Sequence, residues 1–172
     1  PVEDDDDEPD ETSTVGFRAA DHPLDQQTKV LYNDYASEDK FVSFAYTDAP
    51  PGEAAGGHWL RATYTAVADA MPIRFDKVNG HPDTYTLYNS WAGDEGYVCS
   101  VPSNSTSYSF LKGSCAAADA LPLIVTNNTA GEYTMRSLGG DYVSYCDGGC
   151  AGGRWLAASY SSAGDAMTLK LS

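Results

Sequence analysis

RWLAASY at residues 154–160, followed by GDAMTL at 164–169, is the stretch that decides the fold of this 172-residue chain. It has two earlier copies, which read HWLRATY at 58–64 with DAMPI at 69–73, and SFLKGSC at 109–115 with DALPL at 119–123. The aspartates of the three copies, Asp69, Asp119 and Asp165, lie 50 and 46 residues apart. A repeat of this length predicts three similar units, because one unit alone cannot bury its apolar face.

Four short apolar stretches recur in each unit, and Gly, Pro, Asn or Asp bounds them, which is typical of strands. No stretch carries a sustained 3.6-residue period, so no long helix is predicted. The units span about residues 28–79, 84–128 and 132–172. The predicted strands are 28–33, 40–44, 58–63 and 71–75 in unit one, 85–89, 96–100, 109–113 and 121–125 in unit two, and 132–137, 141–145, 154–159 and 167–171 in unit three.

Three four-stranded units predict an all-β domain of the β-trefoil type, in which six strands close a barrel and three hairpins cap one end. The spacing and the Trp-Leu-x-Ala signature resemble the fascin-like and agglutinin-like branch of the β-trefoils over about residues 28–172. This resemblance implies a fold and no binding residues. The Gln-x-Trp signature of ricin-type lectins is absent, so their galactose-binding residues cannot be carried over.

The N-terminal region differs in composition from the rest. Eight acidic residues lie between positions 3 and 11, so residues 1–14 are predicted to be a disordered acidic tail ahead of a single domain at 15–172. Residues 15–21 predict a further strand, which either extends the barrel or is the true first strand of unit one. Its Phe-x-x-Ala pattern is similar to the start of small secreted fungal trefoil-like proteins.

The four cysteines predict two disulfides, one between Cys99 and Cys115 beside the hairpin of unit two and one between Cys146 and Cys150. Two acceptor sequons for N-glycosylation begin at Asn104 and Asn127. With a chain that starts at Pro1 without a signal peptide, these features favour a mature secreted, extracellular protein. The alternative is a cytosolic protein with four free thiols.

Charge and composition exclude several functions. A net charge of −15 argues against nucleic acid as a partner, since little of the surface could neutralise phosphates. No apolar run approaches 18 residues, so no membrane span is predicted. The cysteines lack zinc spacing and the acidic run lacks the glycine of a calcium loop, so neither a metal nor a cofactor is expected. No nucleophile elbow accompanies the three histidines, and the chain is predicted not to be an enzyme.

Two sets of residues recur at equivalent positions and are assigned to packing and turns. They are the ring residues Trp59, Phe110 and Trp155 and the aspartates Asp69, Asp119 and Asp165.

Two aromatic residues in polar turns are the candidate binding residues. Tyr35 follows Asp34 in unit one, and Trp91 is followed by Asp94 in unit two, whereas unit three replaces this turn with residues 138–140. Exposed rings beside carboxylates are suited to bind sugars. The alternative is that both rings fold back over the mouth of the barrel.

These observations favour a secreted, non-enzymatic binding protein whose partners are glycans or cell-wall polysaccharide. One alternative is an extracellular structural protein that self-associates. Another is a protease inhibitor acting through the loop at 46–57, although this loop lacks the Arg or Lys that a trypsin-like pocket requires.

Overall fold

A computed structural model of the protein describes residues 21–33, 41–129, 131–146 and 153–172. Within these ranges the protein is all-β, with 13 strands in one antiparallel sheet and short 3-10 turns between them. The strands are β1 (Thr28–Lys29), β2 (Leu31–Tyr32), β3 (Phe41–Ala45), β4 (Trp59–Tyr64), β5 (Ile73–Lys77), β6 (Thr84–Tyr88), β7 (Tyr97–Pro102), β8 (Ser109–Cys115), β9 (Leu123–Thr129), β10 (Glu132–Ser137), β11 (Tyr142–Cys146), β12 (Trp155–Tyr160) and β13 (Lys170–Leu171). The acidic tail, residues 15–20 of the additional strand, Asp34, Tyr35 and Cys150 lie outside the described residues.

Strands that begin and end the predicted units pair in a ring. β5 pairs with β6, β6 with β9, and β9 with β10. β10 continues to the last strand through paired backbone hydrogen bonds between Tyr133 and Leu169, of 2.8 and 2.7 Å. β13 pairs with β2, and β1, which only Val30 separates from β2, pairs with β5. The ring therefore returns to its starting strand.

The interior of this ring is the main hydrophobic core. Side chains of a strand alternate between two faces, so Ile73 and Phe75 of β5 are fully buried while Arg74 and Asp76 face outward. The same alternation places Leu87, Leu123 and other apolar side chains of the ring in one buried cluster. Each large apolar side chain buried in this way contributes roughly 1.5–3 kcal/mol to folding.

Three hairpins, β3–β4, β7–β8 and β11–β12, contact one another through one strand of each. In each contact, the repeated aromatic residue of one unit lies opposite a residue of another unit. That second residue is two positions after the aromatic residue of its own unit. The pairs are Trp155 with Arg61, Trp59 with Lys112, and Phe110 with Ala157. All three rings are at most 5% exposed and share a second buried cluster, so the assignment of these rings to packing is confirmed.

The three aspartates lie on exposed 3-10 turns, Val67–Asp69, Ala117–Asp119 and Ala163–Asp165. After each turn, the second residue beyond the aspartate donates its N–H to the second strand of the same unit. These bonds are Met71 to Val42 (3.1 Å), Leu121 to Val98 (2.9 Å) and Met167 to Val143 (3.0 Å). The bond replaces regular strand pairing there, and the last strand of each unit therefore begins two or three residues later than predicted.

An ion pair on the outside of β5 is joined by hydrogen bonds from the segment before β1 and from the first residue of β7. Arg74 binds both oxygens of Asp76, at 2.7 and 2.8 Å, and the carboxylate also accepts from Gln26 at 2.9 Å and from the Tyr97 hydroxyl at 3.2 Å. Burial opposes the charge of Asp76, but the hydrogen bonds and charge of Arg74, followed by the hydrogen bonds from Tyr97 and Gln26, hold its pKa below the ordinary value.

We expect Asp76→Asn to lower the free energy of unfolding by about 1 kcal/mol at pH 7, the upper end for partly exposed ion pairs. Because the pKa of Asp76 is lower in the folded than in the unfolded protein, this stabilisation is present above about pH 4 and is lost as the pH falls through the folded pKa. Urea unfolding of both proteins at pH 7 and pH 2.5 measures it. The exposed Asp165→Asn is the control, and an equal loss at both pH values would contradict the assignment.

Candidate functional site

A cluster of rings reaches the surface beside the hairpin of unit one. It consists of Tyr46, His58 and Trp91 around Phe44, and we call it the aromatic patch. Tyr46 is 63% exposed and Trp91 is 43% exposed, whereas Phe44 is 1% exposed. The Phe44 ring lies 4.9 Å from His58 and 6.2 Å from both Tyr46 and Trp91, centroid to centroid. Exposed rings therefore rest on a buried one.

Backbone contacts with the neighbouring hairpin hold His58 in place. His58 has a left-handed φ of 54° and directly precedes β4, and Arg154 has a φ of 49° at the same place in unit three. The His58 carbonyl accepts from the Gly113 N–H at 3.0 Å, and the preceding Gly57 carbonyl accepts from the Ser114 hydroxyl at 3.1 Å. The patch is thus attached to β8 of unit two.

Asn89 fixes the backbone of Trp91. Its side chain is buried and caps the 3-10 turn Ser90–Glu95, since its oxygen accepts from the N–H groups of Trp91 (3.1 Å) and Ala92 (3.2 Å). Its amide nitrogen donates to the carbonyls of Gly96 (2.8 Å) and Gly113 (2.9 Å). Both donors and both acceptor positions of the amide are occupied. The backbone at Trp91 is therefore held rigidly, and we call this support the rigid base of Trp91.

Gly113 allows the patch to pack against β8. A Cβ atom at this position would lie 2.5 Å from the Phe44 ring and 3.3 Å from both the Asn89 amide and the Leu60 side chain. The first distance is far below a van der Waals contact, so only glycine lets Phe44 approach this closely.

Of the four predicted site residues, two lie within the described part of the chain. Trp91 belongs to the aromatic patch, and Asp94 is exposed on the same 3-10 turn. Trp91 also packs edge-on against the buried ring of Phe44. The Trp91 side chain is therefore partly exposed and partly packed against the protein. Asp34 and Tyr35 lie outside the described residues. A binding role for these four residues stays a prediction.

Three patch residues, Phe44, Tyr46 and His58, were not predicted as site residues, and neither was Asn89, which supports Trp91. The repeat offered one signal, because Leu31-Tyr32-Asn33 matches Leu87-Tyr88-Asn89 and both asparagines are buried, each 1% exposed. A buried asparagine at a strand end is well suited to cap the following turn.

A cleft of about 500 Å³ is lined mainly by residues of β7 and β8, and we call it the β7–β8 cleft. Its wall includes Glu95, Lys112, Asp119 and the Cys99–Cys115 disulfide. This disulfide was predicted and is present. Cys146 is also disulfide-bonded, and its partner lies outside the described residues.

The structure also bears on the other features predicted from the sequence. Asn104 and Asn127 are both exposed, and their glycosylation stays a prediction. Among the described residues, no three His, Cys, Asp or Glu side chains are grouped to hold a metal ion. His22 is buried with its ring nitrogen 2.8 Å from the His81 carbonyl. In the same part of the chain, none of the helices combines the length and the apolar character that crossing a membrane requires.

Comparison with known proteins adds information on the fold alone. No protein-family model and no curated protein sequence matches this chain. A solved structure described as type II water-soluble Chl binding proteins matches with a TM-score of 0.60, over 86% of this chain and 96% of that chain. The two share 11% sequence identity, at which the likeness shows a common fold and carries no ligand across.

Proposed function

We propose that the strand ring and the three hairpins form a β-trefoil with three structural units. The pairings support this, because each hairpin contacts the other two through equivalent residues and each unit makes the same hydrogen bond after its Asp-Ala turn. A closed ring with a three-hairpin cap is the arrangement that three such units produce.

On this scaffold, the protein acts as a secreted, non-enzymatic carbohydrate-binding protein, and the aromatic patch is its sugar-binding surface. The observation that carries the proposal is the exposure of Tyr46 (63%) and Trp91 (43%) on the buried ring of Phe44. Rigid aromatic faces give a sugar ring a large apolar contact at little entropic cost, and nearby polar groups bind its hydroxyls. The Cys99–Cys115 disulfide supports an oxidising, extracellular compartment.

Trp91→Ala tests the proposal. A glycan panel should identify ligands of the wild-type protein, and we expect the substitution to weaken their binding at least tenfold, equivalent to about 1.4 kcal/mol. Tm should fall by a few degrees, because part of the ring is buried against Phe44, and binding is therefore compared at a temperature where both proteins are folded. Val67→Ala is the control, since Val67 is 61% exposed outside the patch. Wild-type binding to no glycan, or equal losses in both variants, would count against the proposal.

The patch also favours a second candidate function, self-association in an extracellular assembly. Exposed aromatic rings on a rigid base are typical of protein–protein contacts as well. Sedimentation analysis separates the two functions, because an assembly contact would make the wild-type protein oligomeric and Trp91→Ala monomeric in the absence of any glycan.

A further inference from the structure

The β7–β8 cleft and the aromatic patch are built in part from the same segments of the chain. Both include the 3-10 turn Ser90–Glu95, because Trp91 lies in the patch and Glu95 lines the cleft. The two residues are four positions apart in this turn, whose backbone kinks at Gly93. A second link is made by Ser114, which lines the cleft. Its hydroxyl donates to the carbonyl of Gly57, the residue before His58 of the patch.

The chemistry of the cleft is polar and acidic. Its rim carries Glu95 and Asp119, both exposed, and a single ammonium group, that of Lys112. The lysine nitrogen lies 5.8 Å from the centre of the Trp59 ring, where the ring face attracts it. Both rim carboxylates are exposed, and neither forms an ion pair within the described ranges. The whole chain adds to this field, with 25 acidic residues against 10 Lys and Arg.

We propose that the patch and the cleft together bind an oligosaccharide that carries amino groups, with one sugar on Trp91 and Tyr46 and the next sugars in the cleft. This inference depends on the proposed sugar-binding role of the patch and specifies its ligand. Glu95 and Asp119 pair with the ammonium groups of the glycan, and the same carboxylates repel uronic acid chains.

The test uses β-1,4-linked glucosamine as monomer and tetramer, the N-acetylated tetramer, and a galacturonic acid tetramer, each titrated into the full chain by calorimetry. We expect the glucosamine tetramer to bind at least tenfold more tightly than the monomer, and the galacturonic acid tetramer not to bind. Higher salt should weaken binding of the glucosamine tetramer more than that of the N-acetylated one, since screening acts on charge pairs.

Glu95→Gln combined with Asp119→Asn removes both rim charges without changing side-chain size. We expect the wild-type protein to bind the glucosamine tetramer about tenfold more tightly than the N-acetylated tetramer. This double variant should bind the two tetramers with similar affinity, because it keeps its binding of the N-acetylated tetramer and loses the preference. Asp165→Asn, an exposed equivalent of Asp119 in unit three, should leave the preference unchanged. Near-UV circular dichroism of each variant checks that the fold is retained.

The outcomes separate this inference from the proposed function. Equal affinities for monomer and tetramer, or a double variant that keeps its preference for amino sugars, would overturn the inference. If the sugars that bind the wild-type protein fail to bind Trp91→Ala, the sugar-binding role of the aromatic patch would still be supported. If neither glucosamine tetramer nor N-acetylated tetramer binds, the inference is wrong, and the sugar-binding role is then decided by the wider glycan panel.

Discussion

Replacing both Cys99 and Cys115 with alanine is expected to lower the free energy of unfolding by about 3 kcal/mol. The disulfide joins β7 to β8 across a sequence separation of 16 residues, and a cross-link that closes a loop of this length restricts the unfolded chain by roughly this amount. For a protein of this size, the loss corresponds to a fall in Tm of about 6–12 °C. Urea unfolding of wild type and variant, both oxidised, measures it.

Reductant provides the control. The wild-type protein loses both of its bridges in reductant, whereas the double variant can lose only the bridge of Cys146. The difference in stability between the two proteins should therefore nearly vanish under reducing conditions. If the variant is as stable as the oxidised wild type, the bridge does not hold the hairpin together, and the wall of the β7–β8 cleft depends on other contacts.

The sequence repeat predicted most of the strands because the repeated residues are those that the fold buries. Trp59, Phe110 and Trp155 pack together, and the alternation around Ile73 and Phe75 directs side chains to the interior. Strand starts after the Asp-Ala turns could not be predicted, since they depend on a bond to a different strand, such as Met71 N–H to the Val42 carbonyl. No local pattern reports that contact.

The candidate site was only partly predictable, since it is assembled from segments far apart in the chain. Trp91 was identified because it is an aromatic residue in an acidic turn. Tyr46 and His58 flank the glycine-rich loop of unit one, and nothing in their local sequence indicates that they meet Trp91 over Phe44. Gly113 belongs to the repeat, and its role as the surface that Phe44 packs on appears only in three dimensions.

The patch forms where two units differ from the third. In unit three, Ser137 has the position that Asn89 has in unit two, but it is the last residue of β10, and its hydroxyl accepts from the nearby Asp141 N–H at 3.1 Å. That short connection has no room for a 3-10 turn that carries an aromatic ring. In unit two, the larger Asn89 spans the longer turn from Trp91 to Gly96. A change of one capping residue and of turn length thus separates a structural turn from a candidate binding turn.

Asn89→Asp is therefore expected to have the largest effect among these substitutions, about 4 kcal/mol in the free energy of unfolding. A carboxylate keeps the shape of the side chain but cannot donate, so the Gly113 carbonyl loses its side-chain donor and the Gly96 carbonyl keeps only the backbone N–H of residue 89. Both carbonyls then face a buried negative charge. Each unsatisfied buried group costs about 1–3 kcal/mol, and the charge adds to this cost. A fall in Tm of about 8–16 °C would follow.

Asn128→Asp makes the same chemical change at an exposed position and should alter stability by less than about 0.5 kcal/mol. Urea unfolding of both variants gives the comparison. Because Asn89 also holds the backbone of Trp91, any glycan that needs Trp91 should bind Asn89→Asp less tightly even at temperatures where the variant is fully folded. A variant as stable as Asn128→Asp would show that water or a shifted turn replaces the amide, and the rigid base assigned to Trp91 would then be wrong.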